Sequence, residues 1–194
     1  MNAIVNILTK NPDSPNCKTR LKGLLTDDER MFLSREMLKI TCSELAEVDA
    51  YKLLHVYPDY NSDFMKNLLK SFKMTAVLQS KGLLSDKIYS ALDYLKASYT
   101  KRIVIGSDIP SISRYDISQS ISYLDNYDLV IGPSDDGGFY LIGIKRFGHQ
   151  FFKFMKQNKI LNSDIIKICI DQNINYKLLR TLKDIDEPKD LLCI

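Results

Sequence analysis

The sequence predicts an α/β protein built on a mostly parallel sheet with helices on both faces. Short apolar runs of strand character, AIVNIL at 3–8, YKLLHV at 51–56, MTAVL at 74–78 and IVIG at 103–106, recur along the chain. Longer stretches between them carry apolar residues at helical spacing. Strands that alternate with helices need crossover connections, which run neighbouring strands parallel and cover both faces of the sheet.

Taken in order, Ala3–Leu8 is the first strand and stops at the polar segment TKNPDSPNCK. Residues 26–47 form a helix, with Met31, Leu38 and Leu45 on one face and Leu33, Met37 and Ile40 widening it. Thr26 followed by Asp27, Asp28 and Glu29 marks its start, since side-chain oxygens and negative charge satisfy the free amides there. Tyr51–Val56 and Met74–Leu78 are strands joined by a helix at Asp63–Phe72. Residues 84–98 are helical, with Ser85 as the cap. A buried strand ends at Gly106, and Ser113–Leu124 returns as helix. VIGPSDDGGFYLIGIK at 130–145 holds two more strands around Asp-Asp-Gly-Gly. Helices near 147–157 and 163–172 and a strand at Tyr176–Leu182 complete the series. Phe147, Phe151, Phe152 and Phe154 are read as cover for a sheet face, and His55 and His149 as structural.

A chain of 194 residues fits one domain, here 1–194, with a sizeable core. The net charge of +3 is too small for a nucleic-acid surface. Four scattered cysteines without a C-x-x-C pair argue against a disulfide framework and fit a reducing, cytoplasmic setting. Two distant histidines offer little for zinc. No apolar run reaches the ~20 residues of a membrane span, and the N-terminus lacks a signal-peptide pattern.

Ligands of parallel sheets lie beyond the carboxyl ends of the strands, and four such exits carry polar chemistry. TKNPDSPNCKTRL places Lys10, Lys18 and Arg20 on a proline-stiffened loop that suits a phosphate or diphosphate, or is a solvated surface loop. IVIGSDIP places Asp108 where a carboxylate can hold a divalent cation against polyphosphate, or simply cap a turn. In SDDGGF, Gly137 and Gly138 allow close backbone approach to a ligand with Asp135 and Asp136 projecting from the turn, or the stretch is simply an Asp-Gly hairpin turn. In TLKDIDEPKDL, Asp184 and Asp186 share a side of an extended segment, before Pro188 and a capping Asp190, where a last carboxylate completes a metal site begun elsewhere or the stretch is a charged cap.

Together these segments resemble the DUF2064 proteins of the GT-A, nucleotide-diphospho-sugar transferase superfamily. Lys10-x-Pro12 with Lys18-Thr19-Arg20-Leu21 is similar to that family's first loop, and Ile105-Gly106-Ser107-Asp108-Ile109-Pro110 to its I-G-[ST]-D-x-P. Residues 132–143, GPSDDGGFYLIG, follow G-P-x-x-D-G-G-[YF]-Y-L-I-G, and 184–191, DIDEPKDL, follow D-[IV]-D-T-P-E-D-L. The resemblance extends to phospholactate guanylyltransferases and molybdenum-cofactor nucleotidyltransferases. It implies a Rossmann-like GT-A fold with Mg2+ or Mn2+ on Asp108 and Asp186, and Lys10, Lys18 and Arg20 on the phosphates. Asp136, Gly137 and Gly138 would lie on the acceptor or sugar side, with Asp136 orienting the acceptor hydroxyl or acting as its base and Asp135 serving the turn. The partners implied are a nucleotide or nucleotide-sugar donor and a small-molecule acceptor. Two positions depart from the pattern. Asn16 replaces the first-loop glycine, and the family's Q-x-G-x-D-L-G-x-R-M appears as residues 79–88 with Leu83 for Asp and Lys87 for Arg. The leading expectation is a glycosyltransferase acting on a nucleoside-diphosphate sugar. The alternatives are a nucleotidyltransferase that releases pyrophosphate and a nucleotide-binding domain without turnover.

Overall fold

The computed structural model describes residues 2–145 and 160–193. Its strands are β1 (Ala3–Lys10), β2 (Tyr51–Tyr57), β3 (Thr75–Leu78), β4 (Lys101–Gly106), β5 (Leu129–Pro133), β6 (Phe139–Ile144) and β7 (Tyr176–Leu178). All join one sheet in the order β3-β2-β1-β4-β6-β5-β7. Pairing is parallel except at β6, which runs antiparallel to both β4 and β5. The α/β expectation, a mostly parallel sheet covered by helices, holds.

The helices are α1 (Asp27–Ala46), α2 (Asp63–Phe72), α3 (Leu84–Asp93), α4 (Arg114–Tyr123) and α5 (Asn162–Asp171). Strand side chains alternate between two apolar layers, as the two-residue strand period requires. Val5, Ile7, Leu54, Val56, Ile103, Ile105 and Val130 pack with Leu38, Cys42, Leu45, Met65 and Ile117 of α1, α2 and α4. Val104, Leu129, Ile131, Ile142 and Ile144 pack with Ile88, Leu92, Ile165 and Cys169 of α3 and α5. Each such buried aliphatic side chain contributes about 1.5–3 kcal/mol relative to exposure. Cys17, Cys42 and Cys169 are buried free thiols.

Thr26 caps α1 in a capping box. Glu29 N–H donates to Thr26 Oγ1 at 3.3 Å, and Thr26 N–H donates to Glu29 Oε2 at 2.8 Å. The buried face of α1 is Arg30, Met37, Leu38, Thr41, Cys42 and Leu45, whereas Ile40 is exposed. Apolar spacing alone had put Ile40 on the core face, one helical step from where the sheet lies. Ser85 is not the cap of α3; it is buried inside the helix, and Leu83 N–H donates instead to Asp86 Oδ2 at 2.9 Å. That helix ends at Asp93, because Tyr94 turns extended and Leu95 is left-handed at φ 55.

The last strand is shorter than predicted. Past Leu178 the chain keeps single contacts with β5, Leu179 N–H to Ile131 O at 2.8 Å and Leu182 N–H to Pro133 O at 3.0 Å. Between them Arg180 is drawn off the ladder by the buried Asp116, with Nε 2.7 Å from Oδ1. His55 is buried, with Nε2 3.0 Å from Asn6 Oδ1, and burial pushes its pKa down to about 4. It is therefore neutral near pH 7 and takes the structural role expected of it. The predicted helix near 147–157, with His149 and the Phe147, Phe151, Phe152 and Phe154 cluster, lies outside the described residues. Among those described, no helix is long and apolar enough to cross a membrane.

Candidate active site

The carboxyl ends of β1, β2, β3, β4 and β5 open on one edge of the sheet, and the reversal of β6 brings the 134–138 turn to the same edge. The loop after β1 is anchored before it reaches its cations. Asn11 N–H donates to Tyr57 O at 2.7 Å, Asp13 pairs with Arg35, and the buried Arg30 guanidinium donates to Cys17 O. Lys10 Nζ donates across the loop to Asn16 O at 3.3 Å. The left-handed residue of this loop is Lys18, at φ 45 and ψ 43, rather than Asn16, which stands at the family's glycine position. That strain, of about 1–2 kcal/mol, turns the Lys18 side chain inward ahead of a single 3-10 turn, Thr19–Leu21, pinned by buried Leu21.

Lys18 meets the other end of the chain. Ile185 N–H donates to Asp108 O at 3.0 Å, which lays the tail along the exit of β4 and brings two distant carboxylates together. Lys18 Nζ lies 2.9 Å from Asp108 Oδ1, 3.2 Å from Asp186 Oδ1 and 2.5 Å from Ile185 O. Arg20 Nη1 adds a second cation to Asp186, 2.9 Å from Oδ2. The Lys18 side chain is only 4% exposed, whereas those of Asp108 and Asp186 are 47% and 37% exposed, so the carboxylates form the open rim around a sunken cation. The buried Asp190 caps the tail, its Oδ2 accepting from Asp186 N–H at 3.0 Å and Glu187 N–H at 2.7 Å.

The turn between β5 and β6 divides its work differently from the sequence reading. Asp136 Oδ1 accepts from Ser134 Oγ at 2.6 Å and from Gly138 N–H at 2.7 Å, so Asp136 closes the turn, and Asp135 and Asp136 are both exposed, each bordering a hollow beside it. Gly138 is required, since a Cβ there would lie 2.9 Å from Asp136 Oδ1 and 3.1 Å from Ser134 Oγ. Gly138 lines the cleft beside the turn. Gly137, expected to face the substrate, instead presents its carbonyl to Asn162 N–H at 2.9 Å, at the start of α5.

Two clefts of about 310 Å3 each share Leu8, Arg20, Leu84, Ser107, Asp108 and Asp186. The first is cationic, adding Lys10, Lys18 and Lys87 to Arg20. The second is acidic on one wall, with Asp136 and Asp184, and apolar on the other, with Ile88, Val104, Phe139 and Ile160. A third hollow of about 190 Å3 runs from Arg20 past Asp135, Asp136 and Asp184. Lys10, Lys18, Arg20, Asp108, Asp136, Gly138 and Asp186 thus come together. The sequence assigned no site role to Lys87, Gln79 or Thr9, which line the first cleft, or specifically to Asp184, which lines the second. Lys87 and Gln79 were visible only as remnants of the mid-chain pattern. Asp184 shares a side with Asp186 in the extended segment, and the metal role implied by the resemblance fell to Asp186. Burial and then the charges of Asp136, Asp186 and Asp135 push the pKa of Asp184 up to about 6.

Comparison with known proteins settles the lineage. Residues 40–159 match the family model described as "Uncharacterized protein conserved in bacteria (DUF2064)". The chain belongs to this family. The DUF2064 chain is also similar to the 2-phospho-L-lactate guanylyltransferase of Methanocaldococcus jannaschii, 31% identical over 205 residues, 98% of this chain and 83% of that one. Among solved structures it resembles a protein of Desulfovibrio desulfuricans G20, provisionally named a nucleotide-diphospho-sugar transferase, with TM-score 0.85 at 22% identity over 98% of this chain and 84% of the other. It further resembles a Mycobacterium tuberculosis H37Rv protein solved with manganese, with TM-score 0.58 at 11% identity over 97% of this chain and 96% of that one. These structural likenesses place the DUF2064 chain in the nucleotide-diphospho-sugar transferase fold.

Proposed function

We propose that this protein is a metal-dependent nucleotidyltransferase that joins a nucleoside monophosphate unit to a small-molecule acceptor and releases pyrophosphate. The observation that carries this reading is the pairing of Asp108 with Asp186 around one cation, beside a cleft walled by Lys10, Arg20 and Lys87. Sugar transfer, the leading expectation from sequence, would use the same phosphate-side residues. The relative named for guanylyl transfer, which matches nearly the whole chain, favours nucleotidyl transfer instead.

The donor set suits the ion. Asp108 and Asp186 offer hard carboxylate oxygens, and among the described residues no group of three or more His, Cys, Asp or Glu is arranged to hold a metal. Mg2+ and Mn2+ match such a site, since one or two carboxylates suffice when phosphate and water complete the shell. The bound ion would supply charge neutralisation on the phosphates. The chain's own part begins with Lys10, Arg20 and Lys87, which bind and orient the triphosphate in the first cleft. An acceptor oxygen attacks the α-phosphorus, and the bond from that phosphorus to the pyrophosphate oxygen breaks. Fixed cations aimed at the leaving group act without reorganisation, usually the largest catalytic contribution. The 134–138 turn shapes the acceptor side.

Pyrophosphate release from GTP, CTP, UTP and ATP, each with Mg2+ or Mn2+ and a panel of phosphorylated and hydroxylated acceptors, tests the reading. Acceptor-dependent pyrophosphate from one nucleotide is the expected result. Release of nucleoside diphosphate from a nucleotide sugar, without pyrophosphate from any triphosphate, would return the assignment to sugar transfer.

A further inference from the structure

The Lys18 ammonium lies between the two carboxylates, Asp108 and Asp186, that a shared divalent ion would bind. Three oxygens surround Nζ, those of Asp108 at 2.9 Å, Asp186 at 3.2 Å and Ile185 at 2.5 Å, matching its three donors. Asp186 is committed on both sides, one oxygen toward Lys18 and the other toward Arg20 at 2.9 Å. A Mg2+ ion binds carboxylate oxygens at about 2.1 Å, so an ion on both Asp108 Oδ1 and Asp186 Oδ1 would crowd a buried ammonium of like charge. Little water reaches that ammonium to screen the repulsion.

We infer that Lys18 and the divalent ion are alternative occupants of the Asp108–Asp186 pair, and that Lys18 is a positioning residue that keeps the two carboxylates together until the ion replaces it. This rests on the reading of Asp108 and Asp186 as metal ligands. The displaced side chain has a destination, because Lys18 also lines the cationic cleft beside Lys10, Arg20 and Lys87. A polyphosphate there gives the ammonium new anionic partners and so favours the exchange. The ion and the polyphosphate then bind with positive coupling, which by linkage is felt equally by both. The inward-turned, left-handed backbone of Lys18 holds the side chain on the side from which it can serve either place.

Two measurements test this. In the first, Mn2+ binding is followed by electron paramagnetic resonance with no nucleotide added. Lys18→Met should bind Mn2+ at least about tenfold more tightly than wild type, and adding Asp108→Asn should abolish the gain. The second uses the unaltered protein, which covers the case that Lys18→Met does not fold. Acetylation of Lys18 is timed by peptide mass spectrometry. It should be slow without additions, about fivefold faster or more with Mg2+, and slow again when tripolyphosphate is added with Mg2+. A Lys18 acetylation rate that ignores Mg2+, at concentrations where Asp108-dependent Mn2+ binding is saturated, would overturn the exchange while leaving the metal site standing. Absence of any Asp108-dependent Mn2+ binding, with or without nucleotides, would remove the metal site and the exchange together.

Discussion

Asp184 shows how a single carboxylate can record its surroundings. Burial, then Asp136, Asp186 and Asp135, push its pKa from the ordinary 3.8 to about 6. Between those values the folded chain keeps a proton that the unfolded chain has released. Stability therefore falls as pH rises from about 4 to about 6, and the loss is complete above that window. Asp184→Asn keeps the shape and removes the charge. Its melting temperature should exceed wild type at pH 7.5, with the difference closing by pH 4, and equal melting at pH 7.5 would show that the repulsion is relieved in some other way. Asp108→Asn should lower metal-dependent pyrophosphate release about 100-fold or more with an unchanged circular dichroism spectrum; undiminished turnover would remove Asp108 from the metal site. At this scale Asp108 was legible because a carboxylate straight after strand, glycine and serine is placed for a ligand. The environment of Asp184 was not, because its burial depends on the fold and two of the three charges acting on it, Asp135 and Asp136, come from a turn nearly fifty residues away.

The β5–β6 turn is the element whose chemistry the sequence described in outline, though it assigned the turn-closing carboxylate to the wrong aspartate. Two Asp and two Gly announced a turn, but nothing in that order says which carboxylate folds back on the backbone. The structure gives the role to Asp136 Oδ1, which accepts from Ser134 Oγ and Gly138 N–H. Asp136→Asn preserves that acceptor, whereas Asp136→Ala removes it. Turnover in Asp136→Asn should stay within about tenfold of wild type, with Asp136→Ala losing about 100-fold. Equal losses in both would instead identify the carboxylate charge as the working feature. One strand earlier, a Cβ on Gly132 would lie 2.4 Å from Tyr140 Cζ, inside a buried contact. Gly132→Ala should cost about 1–3 kcal/mol, read as a lowered denaturant midpoint with an unchanged slope. The capping of α1 by Thr26 and Glu29 was readable in advance because both partners lie within four residues. The cap of α3 was not, since Leu83 has no polar side chain and the capping bond runs from its N–H to Asp86.

For the molecule as a whole, strand and helix order were legible because each element carries its own period. The site was legible only as four separate exits, since nothing local says that residue 18 and residue 186 touch. Under the proposed function, their contact would make nucleotide and ion draw on residues far apart in the chain. Mg2+ and the cognate nucleoside triphosphate together should therefore raise the melting temperature more than the sum of their separate shifts. Additive shifts in a thermal melt would deny that coupling. The arrangement has a further consequence on the opposite edge of the sheet, where the strands begin. There the Gln172–Asn173 bend ahead of β7 is exposed, with Asn173 left-handed at φ 53. The candidate-site groups Lys18, Arg20, Asp108, Asp136 and Asp186 lie at the other edge. A fluorophore or surface tether attached at Asn173 would leave the working edge facing outward, so the protein could be immobilised in a defined orientation for single-molecule recording of its turnover.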